Sequence, residues 1–176
     1  MKLTTREMVV FAMLGVIMYA SKVMLEFAPN VHLLGVFTMA YTIAYRKKAL
    51  YPIYTYVLLN GIFYGFAAWW IPYLYVWTVL WAVTMLLAGK LPKRLPKRWQ
   101  ALVYMSVCAA HGFLFGTLYA PVQAFLFGLS LKGTLAWIAA GLPWDLVHGV
   151  SNFFCGSLIL PVAAMLRLAE RSAEKQ

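Results

Sequence analysis

Four short clusters of basic residues, at 2–6, 46–48, 90–98 and 167–175, divide a chain of 176 residues into apolar stretches that hold almost no charge. An apolar stretch of roughly 20 residues crosses a bilayer core as a helix, while a charged segment between two such stretches stays in water. The chain is 64% hydrophobic and 11% charged, where a soluble domain carries about half apolar residues and about a quarter charged. Lipid, not water, is therefore the solvent to expect. The formal net charge is +10. A nucleic-acid binder spreads its cations over a folded polar surface, so no nucleic-acid partner is expected.

Read in order, the sequence predicts an all-α, single membrane domain of about six spans, at 8–27, 31–45, 49–66, 72–88, 101–127 and 143–166. Pro29 and Asn30 end the first span. Arg46, Lys47 and Lys48 end the second. The run Trp69, Trp70, Ile71, Pro72 turns the chain before the fourth. The stretch 135–140 reads as interfacial, and Pro143 as part of the first turn of the last span, where its missing N–H costs nothing. The run 8–27 is too long for the apolar part of a cleaved signal peptide, so it is expected to remain as a span. Of the 15 Lys and Arg residues, 13 precede span one or follow spans two, four and six. Basic residues favour the cytoplasmic side, which places both termini there in a multi-pass protein of the cell membrane. Trp69, Trp70, Tyr73 and Tyr75 then fall near the outer face, as an aromatic belt does.

Polar groups inside a bilayer are costly and each needs a reason. Asp145, His148 and Asn152 are spaced i, i+3 and i+7, which puts them on one helical face. They either hold a polar ligand in an outward-facing cavity, or Asp145 caps a helix start while the other two bridge to neighbouring helices. Asn60, Tyr119 and Gln123 lie in the outer halves of their spans and are further binding candidates. Trp70, Tyr73 and Trp77 offer flat apolar surface, and ligand pockets combine such surface with a few fixed polar groups. His32 and Asn30 stand at the cavity mouth, Lys22 and Glu26 form an interfacial pair, and His111 reads as a packed core histidine. Cys108 and Cys155 lie in apolar stretches, where cysteine acts as a small apolar group. No CxxC spacing occurs, and neither a metal nor a cofactor is implied. GxSxG, HExxH and a phosphate-binding loop are missing from the sequence, so the expectation is a non-enzyme with no means of using ATP by itself.

The succession of six spans, the turn GFAAWWIPY at 65–73, the segment AGLPWDLVHGVSNF at 140–153 and the turn FAPNV at 27–31 resemble the substrate-binding S components of energy-coupling factor (ECF) transporters. The resemblance implies a six-helix bundle that captures a vitamin or related micronutrient. It also implies partners: a transmembrane T component and two cytoplasmic ATPase subunits. Docking in that family uses an AxxxA pattern of small residues on the first helix. Here Ala12 and Ala20 carry it with Gly15 alongside, and Val16 stands where the pattern has a small residue. Nothing links the chain to one vitamin, and no N-terminal metal-binding histidine points to nickel or cobalt. The rival expectations are an intramembrane enzyme acting on a lipid or peptide through Asp145, His148 and Ser151, and a stand-alone small-molecule transporter.

Overall fold

The computed structural model describes residues 3–92 and 94–173; Lys2, Lys93 and Lys175, counted in the charge pattern above, lie outside the described residues. Every regular element among the described residues is helical. The order is α1 Thr5–Met24, α2 Leu34–Tyr45, α3 Leu50–Tyr64, α4 Tyr73–Lys90, α5 Lys97–Phe113, α6 Phe115–Phe127, α7 Leu131–Cys155 and α8 Ile159–Ala173. Single 3-10 turns at Arg46–Ala49, Ala68–Trp70 and Gly156–Leu158 join α2 to α3, lead into α4 and join α7 to α8.

Four helical runs are long and apolar enough to cross a membrane: Thr5–Met24, Ala68–Lys90, Lys97–Phe127 and Leu131–Ser172. Their outward faces are apolar, with Met13, Val16, Leu86, Phe125 and Met165 among many exposed large hydrophobics. Helices satisfy their backbone hydrogen bonds internally, which lets them present such faces to lipid. The chain is a multi-pass membrane protein. The helices α2 and α3 have 12 and 15 residues; at about 1.5 Å per residue each is shorter than a bilayer core of about 30 Å.

The shortest helix is the most buried. Nine of the 12 residues of α2 are buried, from Leu34 to Ile43. A helix apolar on all sides belongs in the centre of a bundle, and α2 contacts α1, α4, α5, α7 and α8. The Tyr41 hydroxyl crosses to α1 and donates to Leu14 O at 3.0 Å.

Two expected spans take a different form. The span expected at 101–127 divides into α5 and α6 at Leu114. The cause lies 29 residues away: Gly116 N donates to Asp145 Oδ1 at 3.0 Å and to Oδ2 at 3.1 Å. A carboxylate from α7 thus caps the start of α6, where free N–H groups and the helix dipole favour negative charge. The stretch 135–140 is not a separate interfacial segment. It belongs to α7, which begins at Leu131 behind the N-cap Ser130 and carries Pro143 in its interior. Ser130 Oγ accepts from Gly133 N at 3.2 Å, so the helix start has its own cap and Pro143 is not needed there.

Close approach sets the α5–α7 contact. A Cβ on Gly112 would stand 2.8 Å from Gly149 Cα, and one on Gly149 would stand 2.3 Å from the Phe113 ring. Small residues let two helices meet at backbone distance, and this contact holds the polar face of α7 against the bundle.

The basic clusters gather at one end. Lys48 pairs with Glu7 at the start of α1. Arg46 donates to Met85 O at 3.4 Å, and Trp81 Nε1 donates back to Arg46 O at 3.1 Å. Arg167 on α8 donates to Ile43 O at 2.5 Å, and Lys97 and Arg98 line the groove beside it. At the other end, Lys22 lies 3.4 Å over the Tyr64 ring and Tyr64 donates to Glu26 at 3.2 Å.

Candidate functional site

The candidate site is an enclosed aromatic core centred on α4. Tyr73 and Trp77 are one turn apart and share a face, and Trp77 is 1% exposed. The Trp77 ring lies 5.7 Å from those of Tyr73 and His111, 5.9 Å from Phe115, and 6.1 Å from Tyr56 and His32. Phe115 extends the cluster to His148 at 4.8 Å and to Tyr119 at 5.1 Å. His32, just before α2, meets His148 edge to face at 4.5 Å. Helices α3 to α7 and the approach to α2 therefore all contribute a wall.

This core leaves polar atoms unpaired. His32 Nδ1, Tyr56 Oη, both amide atoms of Asn60, Trp77 Nε1, His111 Nδ1, His148 Nε2 and Asn152 Oδ1 are buried with no hydrogen-bond partner among the described residues. Thr38 Oγ1 on α2 shares that state. The Tyr73 hydroxyl sits close to Tyr56, Asn60 and Tyr119, yet it closes no hydrogen bond with Tyr56 or Asn60. Such atoms are uncommon, since the large majority of buried polar groups in folded proteins are paired. Each costs about 1–3 kcal/mol.

Some members have a settled role on one side. His111 Nε2 donates to Val76 O at 3.1 Å. A carbonyl only accepts, so Nε2 carries the proton, and Nδ1 of the neutral ring is a bare acceptor. Asn152 Nδ2 donates to Cys108 O at 3.3 Å and leaves Oδ1 facing nothing. The Tyr119 hydroxyl donates to Trp69 O at 2.6 Å, which fixes its ring at the rim.

The sequence-predicted residues fall into groups. Asn60, Tyr73, Trp77, Tyr119, His148 and Asn152 come together in or at the edge of this core. Trp70 flanks it and is already paired, donating from Nε1 to Val57 O at 2.8 Å. Gln123 is half-buried on α6 and shows no ring or hydrogen-bond contact with the core among the described residues. Asp145 is buried beside the core, but both its oxygens serve Gly116 N. Ser151 Oγ lies 3.0 Å from the carbonyls of Asn30 and His148, so its hydroxyl serves backbone and not the His148 ring. On α1, Ala12 and Ala20 are exposed, whereas Gly15 is buried. The structure moves Gly15 off the outward face: a Cβ there would stand 2.5 Å from Thr55 Cβ and 2.9 Å from Pro52 O, so this glycine serves the α1–α3 contact.

Tyr56 and Phe115 were not anticipated, and His111 was read as packing alone. A shared signal marks all three. Tyr56 and Asn60, Tyr73 and Trp77, His111 and Phe115, and His148 and Asn152 are each i, i+4 pairs that combine an aromatic or imidazole ring with a second ring or an amide. Residues four apart share a helical face, so four such pairs in successive apolar stretches point to one lined interior.

No family model, no curated protein and no solved structure matches this chain. Among the described residues, no group of three or more His, Cys, Asp or Glu is placed to hold a metal ion.

Proposed function

We propose that this chain is the substrate-binding membrane subunit of an ECF-type, ATP-driven importer, which captures a vitamin or related micronutrient from outside the cell. The observation that carries the reading is the set of unpaired polar atoms inside an aromatic core, within a bundle whose exterior is apolar. A bundle selected for stability alone would place apolar side chains there. A ligand recovers the lost hydrogen bonds and stacks on the rings. The gathering of basic clusters at one end supports six crossings with both termini in the cytoplasm; in that orientation the rim formed by Tyr119 and Trp69 faces outward. The exposed small residues Ala12 and Ala20 on α1 suit close contact with a transmembrane T component, through which two cytoplasmic ATPases would act.

Purification of the full chain from its native membrane, followed by mass spectrometry, tests this reading. The expected result is one small molecule held without ATP, together with a T component and two ATPases. Cargo accumulation in vesicles that contain this chain alone would instead establish a stand-alone transporter.

A further inference from the structure

Resting on the reading of this core as a ligand site, we infer that its ligand is an uncharged, flat heterocycle whose edge presents a hydrogen-bond donor and an acceptor side by side. A carboxylate, a phosphate or a cation does not fit.

Charge is the first ground. The unpaired groups facing the core are amide, indole, phenol and imidazole. The nearest acid, Asp145, already has both oxygens on Gly116 N. Lys22 is engaged at the rim with Glu26 and the Tyr64 ring, and the Arg46, Lys48 and Arg167 side chains are engaged at the opposite end. A cation in this core would face no free carboxylate, and an anion would gain a counter-ion only if a buried imidazole took up a proton; either is far more costly than burial of a neutral polar group.

Shape is the second ground. Trp77, Tyr73, Tyr56 and Phe115 supply ring surfaces around one centre, and aromatic faces stack on flat partners. In the described structure these rings touch one another, so the ligand takes its place by parting them.

Edge chemistry is the third. Asn60 leaves both Oδ1 and Nδ2 unpaired and is fully buried. A carboxamide free on both sides complements a lactam or primary amide edge through two hydrogen bonds. That match survives exchange of its oxygen and nitrogen, since the ligand edge offers a donor and an acceptor side by side. Trp77 Nε1 adds a donor and His111 Nδ1 an acceptor.

The test uses the full-length protein in detergent and a metabolite library sorted by formal charge, read by thermal shift and then by calorimetric titration. Matched pairs sit within it: uracil and orotate, nicotinamide and nicotinate, hypoxanthine and inosine monophosphate. A neutral, flat member should stabilise the protein where its charged counterpart does not. Asn60→Leu should then weaken that binding roughly 5- to 150-fold, the loss of two net hydrogen bonds. Trp77→Phe keeps a flat ring but removes the N–H together with part of the indole, and should cost at least roughly 2- to 10-fold; it serves if Asn60→Leu does not fold. Preferential binding of a charged member overturns the inference and leaves the transport reading standing. Silence across the library, with an intact melting transition, overturns both. Binding that neither variant alters overturns the placement of the site in this core.

Discussion

At the basic end of the bundle, Trp81 Nε1 donates to Arg46 O and Arg167 donates to Ile43 O. One turn along α4, Trp77 is buried with its N–H unpaired, and Tyr56 and Asn60 beside it are unpaired too. The same contrast separates two tyrosines of nearly equal burial, Tyr41 at 1% exposure and Tyr56 at 0%. The Tyr41 hydroxyl donates to Leu14 O, whereas the Tyr56 hydroxyl has that of Tyr73 nearby and closes no hydrogen bond among the described residues. Most buried polar groups at the basic end find partners, whereas the aromatic core gathers most of the buried atoms that have none, Thr38 Oγ1 on α2 being an exception. The difference teaches that burial alone does not single out a candidate site, whereas a cluster of buried groups without partners does.

The largest expected effect tests whether Asp145 belongs with the paired groups. Asp145→Ala removes a charged acceptor and strands Gly116 N at the start of α6, which should cost about 1.5–3 kcal/mol. The melting curve should fall while ligand affinity in the folded fraction stays intact. Lost affinity without lost stability would move Asp145 into the binding core.

Next is pH. Burial, with His111 and Lys22 nearby, pushes the His32 imidazole down from its ordinary 6.5 to about 4. The unfolded chain therefore binds more protons below pH 6.5, and the folded state loses stability as pH falls from there toward 4. One group contributes at most about 1.4 kcal/mol per pH unit. His32→Asn should flatten the pH dependence of melting over that window. An unchanged slope would show that His32 is not held neutral.

The tyrosine pair sharpens the comparison directly. Tyr41→Phe loses a made hydrogen bond and should cost about 0.5–1.5 kcal/mol. Tyr56→Phe loses none, so the ligand-free protein should melt at the same temperature or higher. Equal destabilisation by both would erase the contrast. The smallest effect belongs to the basic end: Lys48→Met breaks a partly exposed pair with Glu7; solvent screens such pairs, and thermal melting should move little.

Much of the fold was legible because the bilayer sets a length for apolar runs and basic clusters punctuate them. The break at Leu114 was not, because its cause is a carboxylate from another helix. The start of α7 was hidden because Pro143 imitates a first-turn proline, although Ser130 supplies the cap. Gly15 could not be oriented from sequence: α1 is apolar on most sides, so no polar face shows which way its small residues point. In the site, His148 and Asn152 were legible from the cost of polar groups in lipid. Tyr56 and Phe115 were not, because a tyrosine or phenylalanine in an apolar run has an ordinary explanation until its neighbours across the bundle are known.

The most direct test of the central claim is to purify Asn60→Leu and wild type in parallel from the native membrane, and to measure melting temperature and bound small molecules on the same samples. Replacing an unpaired buried amide by an apolar group of similar size should leave the ligand-free fold as stable or more so, while the molecule recovered from wild type should be missing. A variant that retains the molecule, or one that melts well below ligand-free wild type, would contradict the account, because Asn60 would then be structural.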